Sequence, residues 1–148
     1  MSEDVIDTKP ATVFWVVAGA ALIWNLIGVM MYVMTVTATP ESYAAQGYSP
    51  EQIDFVSATP SWATSAFATA VNAGALAALF LLFRKSWAVP VFVLSLVAVL
   101  ILDVYNFVIR DTFGMFGAGA AGMQATILII AILQVIYARH ARSGGWLT

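Results

Sequence analysis

The sequence has 148 residues, of which 61% are hydrophobic and only 9% are charged, with a formal net charge of −2. A soluble domain is about 45–50% apolar and about a quarter charged, so a soluble fold of this length could not bury so much apolar surface. Without Cys or a basic tract, the chain has no disulfide and is not expected to bind nucleic acid. Its single histidine, His140, leaves haem and zinc sites without ligands, so we expect no cofactor and no metal.

Four apolar runs follow one another along the chain, at about 13–36, 62–83, 88–109 and 118–138. A hydrocarbon core about 30 Å thick needs roughly 20 residues of helix, and only helices or closed barrels satisfy the backbone there. The runs lack the alternation that is typical of barrel strands. We therefore predict one all-α domain over residues 1–148: a four-transmembrane-helix bundle with short outer-loop helices, embedded in a lipid bilayer.

The leader before the first run is acidic, since Glu3, Asp4 and Asp7 outnumber Lys9. A secretory signal peptide needs a basic start and a shorter apolar stretch. We therefore expect the first run to remain in the membrane as a span.

Basic residues predict the orientation, because Lys and Arg concentrate in cytoplasmic loops. If the chain crosses four times, only Arg110 falls on one side, and the other five basic residues share the opposite side. We expect both termini and the turn between the second and third runs to be cytoplasmic. The five residues on that side are Lys9, Arg84, Lys85, Arg139 and Arg142.

The outer loop, residues 38–61, contains two helix-start signals. Thr39 and Ser49 each precede a proline, which is the pattern of a capping residue followed by Pro at the first helical position. We predict short helices at about Pro40–Gln46 and Pro50–Ala58, with Gly47 ending the first. The second helix is either a plain interfacial helix or a lid on the outer mouth of the bundle.

Several short segments resemble those of a family of small four-span inner-membrane proteins of Gram-negative bacteria, often loosely labelled sugar transporters. The resemblance covers nearly the whole chain. It implies the same four-span topology and a bacterial inner-membrane location, but no catalytic residue. The segments are Trp24-Asn25-Leu26-Ile27-Gly28, Thr39-Pro40-Glu41, Ala58-Thr59-Pro60-Ser61-Trp62-Ala63, Leu82-Phe83-Arg84-Lys85-Ser86-Trp87-Ala88 and Gly145-Trp146-Leu147.

Asp103 is the only acid or base deep within a predicted span. On an α-helix Asn106 and Arg110 follow it on one face, so the three predict a polar stripe running from the outer surface into the outer leaflet. Tyr32 and Gln124 lie at similar depths, and together the five predict a hydrophilic pocket that opens outward. An ionisable group inside a span is a functional candidate, and the alternative is a polar residue that fixes helix packing.

Two asparagines, Asn25 and Asn72, lie near the midpoints of the first and second runs, and their shared depth predicts a hydrogen bond between helices. The second run also carries a stripe of small residues that allows another backbone to approach closely. We interpret this stripe as packing within the bundle, with a homodimer seam as the alternative. It consists of Ala66, Ala70, Gly74 and Ala78.

The segment Gly117–Gly122 matches the spacing of a dinucleotide-binding motif but joins two membrane helices. That motif requires a preceding strand, so we interpret the segment as a flexible, closely packed turn.

Paired acids or a histidine-rich cluster, which a membrane enzyme would need, are missing, so we predict no catalytic residue. The leading hypothesis is a non-enzymatic accessory or structural bundle that assembles with itself or with a membrane-protein partner. The alternative is a small-solute or proton transporter, or a channel, that uses the pocket around Asp103.

Overall fold

The computed structural model describes residues 9–148, and the acidic leader positions Glu3, Asp4 and Asp7 lie outside the described residues. Within this part the chain is all-α, as predicted, with four helices long and apolar enough to cross a membrane. Their bounds agree closely with the predicted runs. They are α1 (Thr12–Thr37), α4 (Ser61–Leu82), α5 (Ala88–Val104, continued by a π-helical segment over Tyr105–Ile109) and α7 (Ala118–Ser143).

The four long helices form an antiparallel bundle in which α4 packs on α5, α1 on α4, and α5 on α7. We call the end where α1 begins and α7 ends the terminal end, and the opposite end the loop end. The main core lies at the terminal end, where Phe14, Leu81 and Phe92 are fully buried. Packing weakens along α7, since its buried residues are confined to the terminal half: Val135, Ala138 and Ala141.

The stripe of small residues on α4 packs inside the chain. Ala70, Gly74 and Ala78 are buried, and Ala66 is half-buried. The Ser95 hydroxyl of α5 donates to the Ala70 carbonyl oxygen at 2.6 Å. This close approach supports the interpretation as packing within the bundle, and it leaves the stripe unavailable as a homodimer seam.

The two short loop-end helices are confirmed as α2 (Pro40–Ala45) and α3 (Pro50–Ser57). Thr39 and Ser49 cap them through reciprocal side-chain and backbone hydrogen bonds, as their sequence signals predict. Gly47, with φ 90°, ends α2, and the Tyr48 amide then donates back to the Tyr43 carbonyl oxygen at 3.1 Å. Local chemistry therefore determines the shape of this loop.

The C-terminal tail folds back onto the turn between α4 and α5. Gly145, with φ 75°, reverses the chain after α7, and Leu147 is buried. The Arg84 Nε donates to the Trp146 carbonyl oxygen at 2.8 Å, and the Thr148 amide donates to the Arg84 carbonyl oxygen at 2.8 Å. The sequence predicts the Arg84–Lys85 turn but not this docking of the tail.

The last turn of the third span is π-helical, which the sequence does not predict. The Arg110 amide donates to the carbonyl oxygen of Tyr105, five residues earlier, at 2.9 Å. After this wider turn α6 (Thr112–Phe116) begins, capped by the Asp111 carboxylate, which accepts from the Gly114 amide at 2.8 Å. A π-helical turn shifts the following side chains around the helix relative to an α-helix.

Candidate functional site

A polar cluster at the loop end is centred on Arg110. Its Nε donates to the Asn106 Oδ1 at 3.2 Å, and its Nη1 donates to the Thr59 hydroxyl at 2.9 Å and to the Phe55 carbonyl oxygen at 3.2 Å. The Thr112 hydroxyl donates to the same Asn106 oxygen at 3.4 Å. We call Arg110, Asn106, Thr59, Phe55 and Thr112 the loop-end node.

Aromatic rings enclose the guanidinium of the loop-end node. The Arg110 Cζ lies 4.5 Å from the ring centre of Phe55 and 4.7 Å from that of Tyr105, both within cation–π range. Burial lowers the pKa of Arg110, but the side chain keeps its charge because an arginine does not lose its proton in proteins. The node therefore fastens α3 and the start of α4 to the end of the third span.

Asp103 does not join the loop-end node, so the predicted continuous stripe is wrong in that respect. Asn106 and Arg110 meet, but the Asp103 Oδ1 is buried without a hydrogen-bond partner among residues 9–148. The π-helical turn over Tyr105–Ile109 changes the angular position of Arg110 relative to Asp103. The π-type register holds Arg110 against Thr59 and Phe55 instead.

Asp103 lines an apolar groove of about 410 Å³ between the third and fourth spans. The groove is lined almost entirely by hydrocarbon, with the Asp103 carboxyl as its single ionisable group. We call it the α5–α7 groove. Its lining is Leu100, Asp103, Val104, Phe107 and Val108 from the third span, with Ala121, Ala125 and Leu128 from α7.

The other residues of the predicted pocket lie apart from Asp103. The Tyr32 ring packs edge-to-face on Phe67 of α4, with ring centres 5.4 Å apart. Gln124 is half-buried on α7 and forms no side-chain hydrogen bond within the described chain. A second groove, of about 300 Å³ beside Trp62, is also apolar. The structure therefore does not assemble the predicted hydrophilic pocket from these five residues.

The predicted hydrogen bond between Asn25 and Asn72 is wrong. The Asn25 amide donates to the Gln134 Oε1 of α7 at 2.9 Å and to the Ala21 carbonyl oxygen at 2.7 Å. Asn72 is exposed and donates to the carbonyl oxygen of Ala68 in its own helix at 2.8 Å. The two asparagines share a depth, but Asn72 points away from the bundle.

The segment 117–122 contains a turn, but its glycines do not pack closely against other residues. Gly117, with φ 83°, joins α6 to α7, which agrees with the predicted turn. A Cβ added to Gly119 or Gly122 would meet nothing within 4 Å, so the prediction of close packing there is wrong. The start of α7 instead presents bare backbone to its surroundings.

Sequence patterns give little signal for several residues of these clusters. Thr59 and Phe55 come to Arg110 only through the fold of the outer loop, and Gln134 reaches Asn25 across 109 positions. Gln134 is polar within an apolar run, which marks it as a residue in need of a partner. Among residues 9–148, no three His, Cys, Asp or Glu side chains converge as metal ligands.

Fold and site together define an all-α, multi-pass membrane protein with a fastened loop end and one ionisable group in an apolar groove. No family model, curated protein or solved structure matches the chain.

Proposed function

We propose that this chain is a non-enzymatic membrane protein that assembles, through its α5–α7 groove, with a membrane-embedded partner. The observation that carries the proposal is the Asp103 Oδ1, which is buried in an apolar setting without a hydrogen-bond partner among residues 9–148. An Asp at the centre of a membrane helix costs roughly 2.5–3.5 kcal/mol on an insertion scale. A partner that supplies a hydrogen-bond donor to the accessible part of this half-buried side chain offsets part of that cost.

The packing of α7 supports the same proposal. Its buried residues lie only in the terminal half, whereas α4 has buried positions from Ala63 to Leu81. Helices in a bilayer associate through close packing and interhelical hydrogen bonds, because lipid tails are as apolar as the side chains they contact. The loop half of α7, with the α5–α7 groove beside it, is therefore a region where a further helix gains by packing.

A proton or small-solute transporter is the second candidate, favoured by the position of an ionisable side chain inside a span. The apolar lining of the α5–α7 groove weighs against it, because a solute path needs polar groups or water along its length. Flux through liposomes that contain the wild type or Asp103→Asn tests this candidate. Flux that requires the carboxyl would favour transport.

We further propose that the protein lies in a bacterial inner membrane with both termini cytoplasmic. The terminal end carries five of the six basic residues, and Arg110 alone lies at the loop end. This distribution follows the positive-inside rule.

The assembly proposal is tested by reconstituting the full chain in lipid nanodiscs and counting protein copies and partners by native mass spectrometry. We expect an assembled species in the wild type and a smaller assembled fraction in Asp103→Leu. Met31→Leu, a substitution on the exposed face of α1, is the matched control and should leave the assembled fraction unchanged. A wild type that stays a lone monomer at every protein-to-lipid ratio would contradict the proposal.

A further inference from the structure

We infer that the outward face of α4 binds the same face of a second copy of this chain, with the two Asn72 side chains hydrogen-bonded to each other across a two-fold axis. This interface is formed by a helix that does not line the α5–α7 groove, so it goes beyond the proposed function and does not depend on it. Three observations support it: the narrow exposed strip of α4, an exposed amide in the middle of that strip, and the self-complementary chemistry of the amide.

The exposed residues of α4 form a strip one residue wide. Apart from Ser61 at the start of the helix, they follow one another at alternating steps of three and four. Exposed residues of α1, by contrast, come in adjacent pairs such as Leu26-Ile27 and Met30-Met31, which make a wider surface. Steps of three and four are the spacing at which two membrane helices pack along a left-handed seam. We call the strip the α4 outer face: Trp62, Ser65, Thr69, Asn72, Leu76 and Leu79.

Asn72 lies on this face near the middle of the span, eleven residues after Ser61 and ten before Leu82. Within residues 9–148 it is the one amide or charged side chain that is exposed in the middle of a span. The neighbouring α5 shows what a lipid-contacting face looks like, because its exposed residues from Val93 to Val104 are all aliphatic. Lipid tails offer an amide neither donor nor acceptor, so the position of Asn72 points to a protein neighbour.

The Asn72 amide keeps both a donor and an acceptor for that neighbour. One N–H donates to the Ala68 carbonyl oxygen at 2.8 Å, which leaves the second N–H, and the Oδ1 accepts no hydrogen bond from the described residues. In two copies inserted in the same direction, a two-fold axis along the membrane normal places equivalent residues at the same depth. A different protein would need a suitable polar group at that depth and register, whereas a second copy provides one by symmetry.

The residues on either side of Asn72 suit a close approach of two identical helices. Toward the loop end the α4 outer face carries Ser65 and Thr69, small side chains of the kind found where membrane helices come close together. Toward the terminal end it carries Leu76 and Leu79, which are 47% and 38% exposed and can pack against their counterparts. The two helices can therefore approach closely enough for the amides to pair.

Cysteine cross-linking tests the interface directly, because the natural chain has no Cys. A full-length chain carrying Leu76→Cys keeps Asn72, and its single thiol can form a disulfide only with another copy. The matched control is Leu133→Cys on α7: both positions lie fifteen residues after the first residue of their helix, and the leucines are 47% and 56% exposed. On oxidation of the membranes we expect a strong cross-link from Leu76→Cys and little from Leu133→Cys. Equal cross-linking would indicate random collision and overturn the inference.

Dimer dissociation in lipid, measured by single-molecule photobleaching, tests the role of the amide. Asn72→Leu removes both hydrogen bonds of the pair, so it should raise the dimer dissociation constant about tenfold. Asn72→Gln keeps a self-complementary amide and should dimerise more tightly than Asn72→Leu. Leu133→Ala should leave the dissociation constant unchanged. A wild type that dimerises no more tightly than Asn72→Leu would overturn the inference.

Asp103→Leu in the same measurement separates this interface from the proposed assembly through the α5–α7 groove. A dimer that persists in Asp103→Leu and weakens in Asn72→Leu supports the inference, whatever becomes of the proposed function. A dimer that weakens in Asp103→Leu and persists in Asn72→Leu overturns the inference and leaves the proposed function standing. A photo-reactive side chain at Leu79 that cross-links only to lipid, or only to a different protein, would also overturn the inference.

Discussion

Gly74 lies where three of the four spans approach one another closely. A Cβ added there would overlap the Asn25 Oδ1 of α1 and lie 3.2 Å from the Ser95 Oγ of α5. Asn25 is held by its hydrogen bond to Gln134 of α7, so a side chain at position 74 disturbs contacts that reach all four spans. The absence of a side chain at position 74 therefore allows the spans to pack together at the middle of the bundle.

Gly74→Ala should lower the free energy of unfolding by about 1–3 kcal/mol, because it overpacks this junction. The matched control is Gly19→Ala on α1, where an added Cβ meets nothing within 4 Å. That change should raise the free energy of unfolding by up to about 1 kcal/mol, the helix-propensity difference between Gly and Ala. Reversible unfolding in mixed micelles measures the free energy of unfolding of both variants. If Gly74→Ala changed it as Gly19→Ala does, Asn25 would move aside at no cost.

Arg110 should stabilise the loop end through its geometry as well as its charge. Arg110→Lys keeps the charge, but a single ammonium cannot reach Asn106, Thr59 and the Phe55 carbonyl together. We expect the free energy of unfolding to fall by about 2 kcal/mol, which is within the range for hydrogen bonds to a charged group. Faster amide hydrogen exchange in α3 should accompany it. Arg139→Lys, at an exposed site of α7, is the control and should change neither quantity.

Three helices, α2, α4 and α7, are each followed by a residue with positive φ that reverses the chain. Gly47 and Gly145 fill that position after α2 and α7, but Arg84, with φ 57°, fills it after α4. A left-handed conformation costs a non-glycine residue roughly 1–2 kcal/mol. The hydrogen bond from the Arg84 Nε to the Trp146 carbonyl oxygen gives a reason for an arginine here, since a glycine would lose this bond to the tail.

Gly145→Ala should destabilise the docked tail, because alanine resists the φ of 75° that turns Trp146 and Leu147 back onto the bundle. We expect the free energy of unfolding to fall by about 1 kcal/mol and the tail to be cleaved faster by a protease. The neighbouring Gly144→Ala is a close control, since φ there is −77° and an added Cβ lies 3.4 Å from the nearest atom. Equal proteolysis of the two variants would argue against a tail held by this turn.

Sequence patterns predict the elements well where local chemistry decides them and poorly where packing does. The span bounds and the caps at Thr39 and Ser49 follow from hydropathy and from residues near each helix end. The π-helical turn does not follow from such local signals, and the residue after it, Arg110, bonds to the distant outer loop. The predicted stripe from Asp103 to Arg110 assumed an uninterrupted α-helix, and the π-helical turn interrupts that helix before Arg110.

At the scale of the whole molecule, hydropathy gives the depth of each residue but not the direction in which it points. Asn25 and Asn72 share a depth, but the rotation of α4 turns Asn72 outward, and Gln134 takes its place. Asp103 and Gln124 were also predicted to lie at similar depths, but no hydrogen bond joins them within the described chain. The fold was therefore predictable from composition, and the candidate site only in part.

Orientation is the remaining property of the whole molecule, and the absence of Cys makes it directly measurable. Gln46→Cys places an exposed thiol at the loop end, and Ser143→Cys places one at the terminal end. If the five basic residues of the terminal end set the topology, a membrane-impermeant maleimide added to intact spheroplasts should label Gln46→Cys alone. Both variants should react once the membrane is opened, which controls for thiol accessibility. Labelling of Ser143→Cys in intact spheroplasts would reverse the orientation and place Arg110 and the loop-end node on the cytoplasmic side.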